Sequence, residues 1–432
     1  MGNAVEAVES YLAVARAGAV GAFLNPAAGK SELAYMLEDS GAELLLVDSA
    51  RREQIKTDVD VVATDGAFEE LAGSAGPTPP DDLDLDAPAW MLYTSGTTGR
   101  PKGVLLSQRS CLWVVASCWA PVLDLGPDEE LLSALPLFHS YALDLTVVAI
   151  VATGASLRLL PRFSPARAIA TLREESVSLF AGVPTMFHYL VEHLDGEPLR
   201  PQRLRLCVSA GAILPAALTE AFERATGVPL LDGYGITETS TMVTMNWPTG
   251  ERPPGSCGLP LPGCAVRLVD PGTGADVEPE EEGELIVRGP QVMLGYHNRP
   301  EDTAEALQDG WYHTGDLARA DRNGYLTITG RIKELIIRGG ENIAPAEVEQ
   351  AITEHPGVTE AAVVGRPDEA LGEAVAAFVV ADEDAVQAED LRGFAAERLA
   401  DFKVPCEFHF VEEIPRTGSG KVMRHRLAEL LD

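Results

Sequence analysis

Cysteine is scarce in this 432-residue chain, and long apolar runs are missing. The six cysteines show neither C-x-x-C spacing nor histidine partners. This argues against a disulfide framework and a zinc site, and it favours reduced thiols in a cytoplasmic protein. Cys111 and Cys118 lie seven residues apart on a predicted helix and fit core packing. No apolar run approaches the roughly 18 residues of a bilayer-spanning helix, and the N-terminus lacks a signal-peptide pattern.

Positive charge is also in short supply. The chain has 33 lysines and arginines against 66 aspartates and glutamates, a formal net charge of −33. This excess argues against nucleic acid and anionic membranes as partners. An acidic protein that binds an anionic ligand must gather its few cations locally. They gather in three groups, Arg100 with Lys102, Arg331 with Lys333 and Arg338, and Lys421 with Arg424.

A glycine- and hydroxyl-rich loop, residues 93–103 (YTSGTTGRPKG), lies between two apolar runs that are typical of strands, 90–93 and 104–106. Backbone N–H groups that converge in such a loop form a concave site for a phosphate chain. A plain hairpin turn is the alternative, but a turn needs only two or three special residues. The Walker spacing G-x-x-x-x-G-K-[ST] is absent, because arginine and proline separate Gly99 from Lys102. We therefore predict a phosphate loop of another kind.

The length of the chain predicts two or three domains. Helical periodicity covers residues 5–17, a strand-like run covers 44–47, and the proline- and aspartate-rich residues 73–88 predict a surface linker. From the loop to about residue 250 the pattern alternates, with a strand over 149–160, a helix over 167–175 and a strand over 177–181. This alternation indicates an α/β fold with a largely parallel sheet.

The last third of the chain has a different pattern. Two β-rich runs, 266–269 and 284–287, predict a hairpin, and an α+β tail follows residue 330. The tail has predicted strands over 335–337, 361–364 and 375–380 and predicted helices over 346–353 and 388–399. We predict a large domain over 1–331, a hinge at 332–333 and a small domain over 334–432.

Seven further segments complete the pattern: 136–140 (PLFHS), 209–212 (SAGA), 233–238 (GYGITE), 311–316 (WYHTGD), 330–333 (GRIK), 338–343 (RGGENI) and 415–421 (PRTGSGK). In order and kind they resemble the adenylate-forming superfamily of acyl-CoA synthetases, firefly-type luciferases and peptide-synthetase adenylation domains. The resemblance covers nearly the whole chain. It implies a large α/β domain of layered, mostly parallel sheets with a small β-barrel-like part, and a small mobile α+β domain. It also implies ATP, Mg²⁺ and coenzyme A.

The chemistry of that superfamily explains these residue types. A carboxylate is a poor acylating agent, so it is first coupled to AMP with loss of pyrophosphate, and a thiol then attacks the acyl-adenylate. Both steps bring anions together, so catalysis rests on positioning and electrostatics.

The resemblance implies that the loop binds the β- and γ-phosphates of ATP and that two further side chains act on the phosphate chain. Glu238 would ligate magnesium, and Lys421 would place its charge against the α-phosphate. The loop residues concerned are Thr94, Ser95, Gly96, Thr97, Thr98 and Lys102.

The nucleoside and the acid have their own implied residues. Asp316 and Arg331 would reach the ribose, although a lone charge of this kind is more often solvated. His139 would lie near the substrate carboxylate and the thiol path, with a satisfied core histidine as the alternative. The other implied nucleotide-site residues are Gly211, Ala212, Asp232, Gly233, Tyr234, Gly235 and Thr237, the last also with a catalytic role.

For the thiol step, the resemblance implies that the small domain rotates about Lys333. Gly339 and Gly340 would line the pantetheine channel. Arg338 would meet a CoA phosphate, with solvent exposure as an equal alternative.

The substrate is less readable. Amino-acid-activating relatives place an aspartate shortly after Phe138, where this chain has Ser140 and Tyr141, and Asp144 comes late. We therefore expect an acid without an amine. Four apolar residues near the expected pocket favour an apolar acid, with core packing as the alternative: Val183, Met186, Met242 and Val243.

A departure from the family pattern and the choice of acceptor leave alternatives open. The stretch that precedes the opening helix in family members is missing here. Either the start is misassigned or the protein is a natural short form with fewer strands in its first subdomain, and a homodimer stays undecided. An acyl carrier protein in place of CoA, or an enzyme of one half-reaction, also stays open beside the complete acyl-CoA ligase.

Overall fold

The computed structural model describes the chain except residues 54, 56, 65, 75, 77–82, 95–99, 175, 382–385, 418–419 and 432, and except the side chains of 67 and 71. The chain forms two compact units. The first comprises Met1–Val266 and Val287–Tyr312, and the second comprises Arg267–Ile286 and His313–Asp432. None of the described helices combines the length and the apolar character that crossing a bilayer requires.

The strands, in chain order, are β1 (Gly21–Phe23), β2 (Leu44–Val47), β3 (Asp60–Ala63), β4 (Pro88–Thr94), β5 (Lys102–Ser107), β6 (Glu130–Ser133), β7 (Ser156–Leu159), β8 (Leu179–Gly182), β9 (Leu206–Ser209), β10 (Leu230–Tyr234), β11 (Thr244–Met245), β12 (Leu259–Pro260), β13 (Ala265–Val269), β14 (Glu282–Arg288), β15 (Gly295–Tyr296), β16 (Leu307–Gln308), β17 (Trp311–Ala320), β18 (Leu326–Arg331), β19 (Ile336–Arg338), β20 (Glu341–Ile343), β21 (Val358–Asp368), β22 (Gly372–Ala381) and β23 (Glu407–Phe410).

The helices are α1 (Val5–Arg16), α2 (Lys30–Ser40), α3 (Ser49–Arg52), α4 (Gly66–Gly73), α5 (Gln108–Val114), α6 (Ser140–Ala142), α7 (Ala149–Thr153), α8 (Pro165–Leu172), α9 (Pro184–Leu194), α10 (Ala216–Thr226), α11 (Pro300–Ala306), α12 (Pro345–Thr353), α13 (Ala388–Ala396) and α14 (Arg424–Ala428). Two π-helical segments, Val115–Trp119 and Leu143–Val148, continue α5 and join α6 to α7.

A seven-stranded sheet of order β12-β11-β10-β9-β8-β6-β7 forms the centre of the first unit. Its strands from β10 to β7 are parallel. β8 and β9 are buried along their whole length, as expected of parallel strands covered on both faces. On one face Phe180, Phe187 and Phe222 pack edge to face, with ring centroids 5.4 and 5.1 Å apart. The predicted α/β fold with a largely parallel sheet is confirmed.

A four-stranded sheet of order β1-β4-β5-β15 supports the predicted phosphate loop. β4 and β5 are antiparallel, and Thr94 lies opposite Lys102 at their ends. Both strands predicted on either side of the loop are therefore confirmed. Residues 95–99 lie outside the described residues.

The helix that carries Cys111 and Cys118 is confirmed, and both thiols are buried in the core. The strand predicted over 149–160 is wrong in its first half. Residues 149–153 form α7, because the helix that begins at Ser140 continues with its apolar face in the core and leaves Val151 59% exposed. Gly154, at φ +75°, ends the helix, and only β7 is extended.

The second unit contains a sheet of order β20-β19-β22-β21, with β23 parallel to β22. β21 and β22 form a long antiparallel pair against which α12 packs. Apolar side chains such as Ile352, Val363 and Val375 are fully buried between them. The three strands and two helices predicted for this region are present, whereas β20, β23 and α14 were not predicted. The predicted boundary at 331–333 stays a prediction.

Candidate active site

The candidate residues of the first unit follow neighbouring parallel strands at their carboxyl ends. His139 follows β6, Gly211 and Ala212 follow β9, and Thr237 and Glu238 follow β10. The strands β6, β8, β9 and β10 are consecutive in the sheet. In open α/β sheets ligands bind at this edge. The fold therefore assembles, along one sheet edge, residues that are about 100 positions apart in the sequence.

The turn after β10 has a strained backbone. Thr237–Thr239 form one 3₁₀ turn, after which Ser240 and Thr241 have φ of +48° and +86°. Such conformations cost energy in residues other than glycine and cluster at functional sites. A Cβ on Gly235 would lie 1.7 Å from the carbonyl oxygen of Thr241, so only glycine fits there. The close packing of this turn fixes the position of Glu238 beyond the end of β10.

Glu238 takes part in a contact network with residues of the loop and of β15. The Tyr296 hydroxyl donates to Glu238 Oε1 at 3.1 Å. The Lys102 ammonium lies 5.1 Å from the centroid of the Tyr296 ring and 2.9 Å from Asp302 Oδ1. Burial, and then the charge of Glu238, raises the pKa of Tyr296 above its usual range, so the phenol stays a donor. Burial also raises the pKa of the neighbouring Tyr312.

This donor set fits magnesium. No group of three or more histidine, cysteine, aspartate or glutamate side chains within the described part of the chain could hold a metal alone. Magnesium characteristically uses one or two carboxylates and takes its remaining ligands from substrate phosphates and water. Glu238 is half-buried and accepts a hydrogen bond from Tyr296, so it is a carboxylate of the kind that such a site would use.

His139 caps the helix that begins at Ser140. Its Nδ1 accepts a hydrogen bond from the backbone N–H of Tyr141 at 3.3 Å. The Ser140 and Thr237 hydroxyls lie 3.3 Å apart and are both buried. The structure thus brings the segment of His139 next to that of Glu238.

The residues implied around the nucleoside differ in exposure. Ala212 is exposed, Gly211 and Tyr234 are half-buried, and Asp232 is buried, with a pKa that burial raises well above its usual value. Gly233 is buried, and a Cβ there would collide with the side chain of Met242. Met242 and Val243 are fully buried, which favours their core-packing alternative, whereas Val183 and Met186 remain half-buried beside β8.

In the second unit Asp316 and Arg331 lie opposite one another on β17 and β18 and form an ion pair. Asp316 is 2% exposed, so it is not the solvated surface charge that was its alternative. The buried Glu284 holds the preceding turn, because its carboxylate accepts from Gly315 N at 3.1 Å and contacts His313 Nδ1 at 3.0 Å.

The residues implied in thiol transfer lie in the second unit. Lys333 is exposed. Arg338 is half-buried and donates to the carbonyl oxygen of Phe402 at 2.6 Å. Gly339 and Gly340 are exposed and have φ of +61° and +92°, a conformation that glycine adopts without strain.

Lys421 lies in a closed turn of the second unit. Its backbone N–H donates to Thr417 Oγ1 at 3.1 Å, and its carbonyl accepts from Thr417 N at 2.8 Å. The side chain is half-buried. Gly418 and Ser419 of the same turn lie outside the described residues, as do Ser95, Gly96, Thr97 and Thr98 of the loop.

Family models match both parts of the chain. A model described as AMP-binding enzyme matches residues 1–297, and one described as AMP-binding enzyme C-terminal domain matches residues 347–421. The chain belongs to the AMP-binding enzyme family. It is an AMP-forming acid–thiol ligase, an acyl-CoA synthetase that uses ATP, Mg²⁺ and coenzyme A.

Known relatives support the sequence resemblance and the fold. The ligase is similar to a long-chain-fatty-acid–CoA ligase of Bacillus subtilis (strain 168), with 40% identity over 79% of this chain and 61% of that protein. Its structure is similar to ATP-bound MatB from Rhodopseudomonas palustris (TM-score 0.94, 34% identity, 100% of this chain and 87% of that one). It also matches o-succinylbenzoate coenzyme A synthetase (MenE) from Bacillus subtilis in complex with ATP and magnesium (TM-score 0.87, 34% identity, 99% and 87% covered).

Sequence reasoning missed several residues of the ligase that contact the candidate residues of each unit. Tyr296 and Asp302 were not singled out, although proline followed by acidic residues at 300–302 signals a helix start. That signal predicts α11 but not its ion pair with Lys102. Glu284, which holds the turn before Asp316, likewise has no local signal, because its partners lie about 30 residues away.

Proposed function

We propose that this ligase activates an apolar carboxylic acid without an α-amine, transfers the acyl group to CoA and performs both half-reactions. One observation carries the choice of acid. The first carboxylate after His139 is Asp144, which is 1% exposed and accepts the indole N–H of Trp119 at 2.5 Å. A carboxyl group buried in this way is out of reach of an ammonium group of the substrate.

The neighbouring side chains support the same choice. Ser140 contacts Thr237, and the Tyr141 hydroxyl donates to the carbonyl oxygen of Val208. Residues 139–143 therefore present a histidine, two engaged hydroxyls and two apolar side chains, but no anion. The half-buried Val183 and Met186 add apolar surface after β8.

In the adenylation step, the chain's own groups would bind and orient anions. Thr94 and Lys102, at the paired ends of β4 and β5, would hold the β- and γ-phosphates, and Glu238 would hold the magnesium that neutralises them. Lys421 would stabilise charge on the α-phosphate as the carboxylate attacks and pyrophosphate leaves. Asp316, which pairs with Arg331, would accept hydrogen bonds from the ribose hydroxyls.

In the thioester step, the thiol attacks the acyl carbon and AMP leaves. We assign the channel for the pantetheine arm to Gly339 and Gly340. We assign to Lys333 the hinge about which a small domain over 334–432 rotates between the two half-reactions. Arg338, oriented by the carbonyl of Phe402, would face a CoA phosphate. A cytoplasmic location and a homodimer remain predictions.

Matched acids test the substrate class. Pyrophosphate release is measured with hexanoate against norleucine and with 3-phenylpropionate against phenylalanine, since each pair differs only in the α-amine. We expect release with the amine-free acid of each pair. Faster release with either amino acid would overturn the proposal.

The acceptor and the completeness of the reaction need separate measurements. Purified acyl-adenylate is offered to the enzyme with CoA and a phosphopantetheinylated carrier protein together, and we expect acyl-CoA as the main product. Acid-dependent exchange of labelled pyrophosphate into ATP tests the first half-reaction. A carrier-bound product, or no exchange with any acid that supports thioester formation, would contradict the complete CoA ligase.

Lys421→Ala tests the central assignment. We expect this variant to lose pyrophosphate exchange while it still forms thioester from supplied adenylate. Lys30→Ala, an exposed lysine at the start of α2, is the matched control and should retain both activities. Intact exchange in Lys421→Ala would show that another group stabilises the α-phosphate.

A further inference from the structure

Asp39, near the end of α2, is a carboxylate buried beside the phosphate loop. Its side chain is 9% exposed. Oδ2 accepts the Tyr93 hydroxyl at 2.9 Å, and Oδ1 faces the Arg299 guanidinium at 3.2 Å. Tyr93 immediately precedes Thr94 on β4. Burial, and then the hydrogen bond to Asp39, raises the pKa of Tyr93 above its usual range, so this phenol remains a donor.

The other end of the loop is tied to the same helix. The Tyr35 hydroxyl, one turn before Asp39 on α2, donates to the carbonyl oxygen of Pro101 at 3.0 Å. Arg299 donates to this hydroxyl at 3.1 Å, and Asp39 Oδ1 is a second acceptor for it at 3.3 Å. Pro101 immediately precedes Lys102. Both strand ends that carry phosphate-binding candidates are thus attached to α2.

A third connection passes through α11. Arg299 immediately precedes this helix, and Asp302 in its first turn forms the 2.9 Å ion pair with Lys102. The ion pair of Arg299 with Asp39 therefore fixes the start of the helix that holds the Lys102 ammonium. Asp39 lies 260 residues from Arg299 in the sequence, and the pair joins α2 to the start of α11.

We infer that Asp39 is a positioning residue that fixes Thr94 and Lys102 for the β- and γ-phosphates of ATP. The inference rests on the proposed function, because it takes the phosphate role of these two residues from it. Asp39 acts through its contacts with Tyr93, Tyr35 and Arg299, and not on the nucleotide or the acid itself. Its effect is therefore confined to the half-reaction in which the β- and γ-phosphates are bound.

Asp39→Asn tests this role. The amide removes the charge that pairs with Arg299 and turns one acceptor into a donor, so the partners on the two strand ends can no longer be held together. We expect the KM for ATP in pyrophosphate exchange to rise about tenfold, the loss of a charged hydrogen bond. The KM for the acid, and the rate of thioester formation from supplied adenylate, should stay within about twofold of wild type.

Asp86→Asn is the matched control. Asp86 also pairs with an arginine, Arg109, and lies just before the other end of β4, but it is exposed and remote from the loop. It should leave all three quantities unchanged. Asp39→Glu, which keeps the charge, should recover part of the ATP affinity. Tyr93→Phe removes a single hydroxyl and tests the same contact if Asp39→Asn fails to fold.

The outcomes separate the inference from the function it rests on. A rise in the KM for ATP with unchanged thioester formation supports the positioning role. Equal losses in both half-reactions, or an unchanged KM for ATP in both Asp39→Asn and Tyr93→Phe, would overturn it while exchange by the wild type leaves the proposed function standing. Absence of exchange in the wild type would instead remove the proposed function.

Discussion

The hydroxyl of Tyr296 donates a hydrogen bond to the carboxylate of Glu238, which lies 58 residues earlier in the chain. Gly295 and Tyr296 form β15, which pairs with β5 directly beyond Lys102. The pairing places the phenol between the end of the phosphate loop and the proposed magnesium ligand. One short strand thereby connects two parts of the site.

Tyr296→Phe should weaken magnesium binding without abolishing catalysis. The hydroxyl orients the Glu238 carboxylate, and losing a partner of this kind typically costs a metal site about tenfold in affinity. We expect the free Mg²⁺ concentration for half-maximal pyrophosphate exchange to rise by about that factor. Calorimetric titration of the enzyme with Mg·ATP should show a matching loss.

Tyr189→Phe provides the control for this measurement. Tyr189 is 46% exposed on α9, and its hydroxyl is not part of the site. An unchanged magnesium requirement in Tyr296→Phe would mean that Glu238 is oriented by other contacts or is not the ligand.

Asp316→Asn should reduce the preference of the enzyme for ATP over 2′-deoxy-ATP. The carboxylate is buried and paired with Arg331, and in the proposed function it accepts hydrogen bonds from hydroxyl groups of the sugar. Losing a charge-assisted hydrogen bond costs roughly 1.5–3 kcal/mol, a rise of about tenfold or more in the KM for ATP. Because 2′-deoxy-ATP lacks one of these hydroxyls, its disadvantage relative to ATP should shrink in the variant.

The ratio of kcat/KM values for the two nucleotides is the measurement. Asp276→Asn removes an exposed carboxylate that pairs with Arg267 in the same unit and should leave the ratio at its wild-type value. If Asp316→Asn also kept the wild-type ratio of kcat/KM for ATP and 2′-deoxy-ATP, other residues would bind the ribose hydroxyls.

The sequence predicted much of the fold because most elements carry a local signal. The strand over 44–47 coincides with β2, and the loop flanks coincide with β4 and β5 to within two residues. Failure occurred where tertiary structure overrides a local pattern. Residues 149–153 look like a strand in isolation, yet they continue a helix whose earlier turns are held by His139 and by a π-helical segment.

The candidate site was predictable to the extent that it depends on motifs. Thr237, Glu238, Asp316 and Lys102 were all singled out, but the residues that hold them were not. Tyr296, Asp39 and Glu284 act through partners about 30 to 260 residues away, and a single sequence carries no signal for such pairings.

Arg424→Met should destabilise the second unit. Arg424 is mostly buried between Glu334 and Glu349, so it is structural rather than solvated. Although burial lowers the pKa of Arg424, the two carboxylates raise it above its usual value, and the guanidinium stays charged. Removing it leaves Glu349 without its cation, a change that costs about 3 kcal/mol when a buried pair is broken.

Backbone hydrogen exchange in α12 and β21, which lie beside this ion pair, is the suitable measurement, because all five tryptophans lie in the first unit. Arg224→Met serves as the control. Its partner Glu220 lies 4.0 Å away and both side chains are exposed, so the loss should stay below about 0.5 kcal/mol. Equal protection of α12 in both variants would contradict the structural role of Arg424.

Asp144→Asn should stabilise the first unit more as the pH rises. Burial raises the pKa of Asp144 well above its usual value, so the folded chain holds a proton that the unfolded chain releases near pH 4. The stability contributed by this group is fully present below the unfolded pKa and is lost as the pH rises towards the folded pKa, at about 1.4 kcal/mol for each pH unit.

Asparagine does not titrate and can still accept the Trp119 N–H. Urea unfolding followed by tryptophan fluorescence at pH 5, 6 and 7 should therefore show a widening advantage of the variant. Asp86→Asn, at an exposed carboxylate whose pKa the hydrogen bond from Arg109 lowers, should give a constant difference over the same range. A constant difference for Asp144→Asn as well would mean that Asp144 is ionised in the folded chain, which would leave a carboxylate able to pair with a substrate ammonium group.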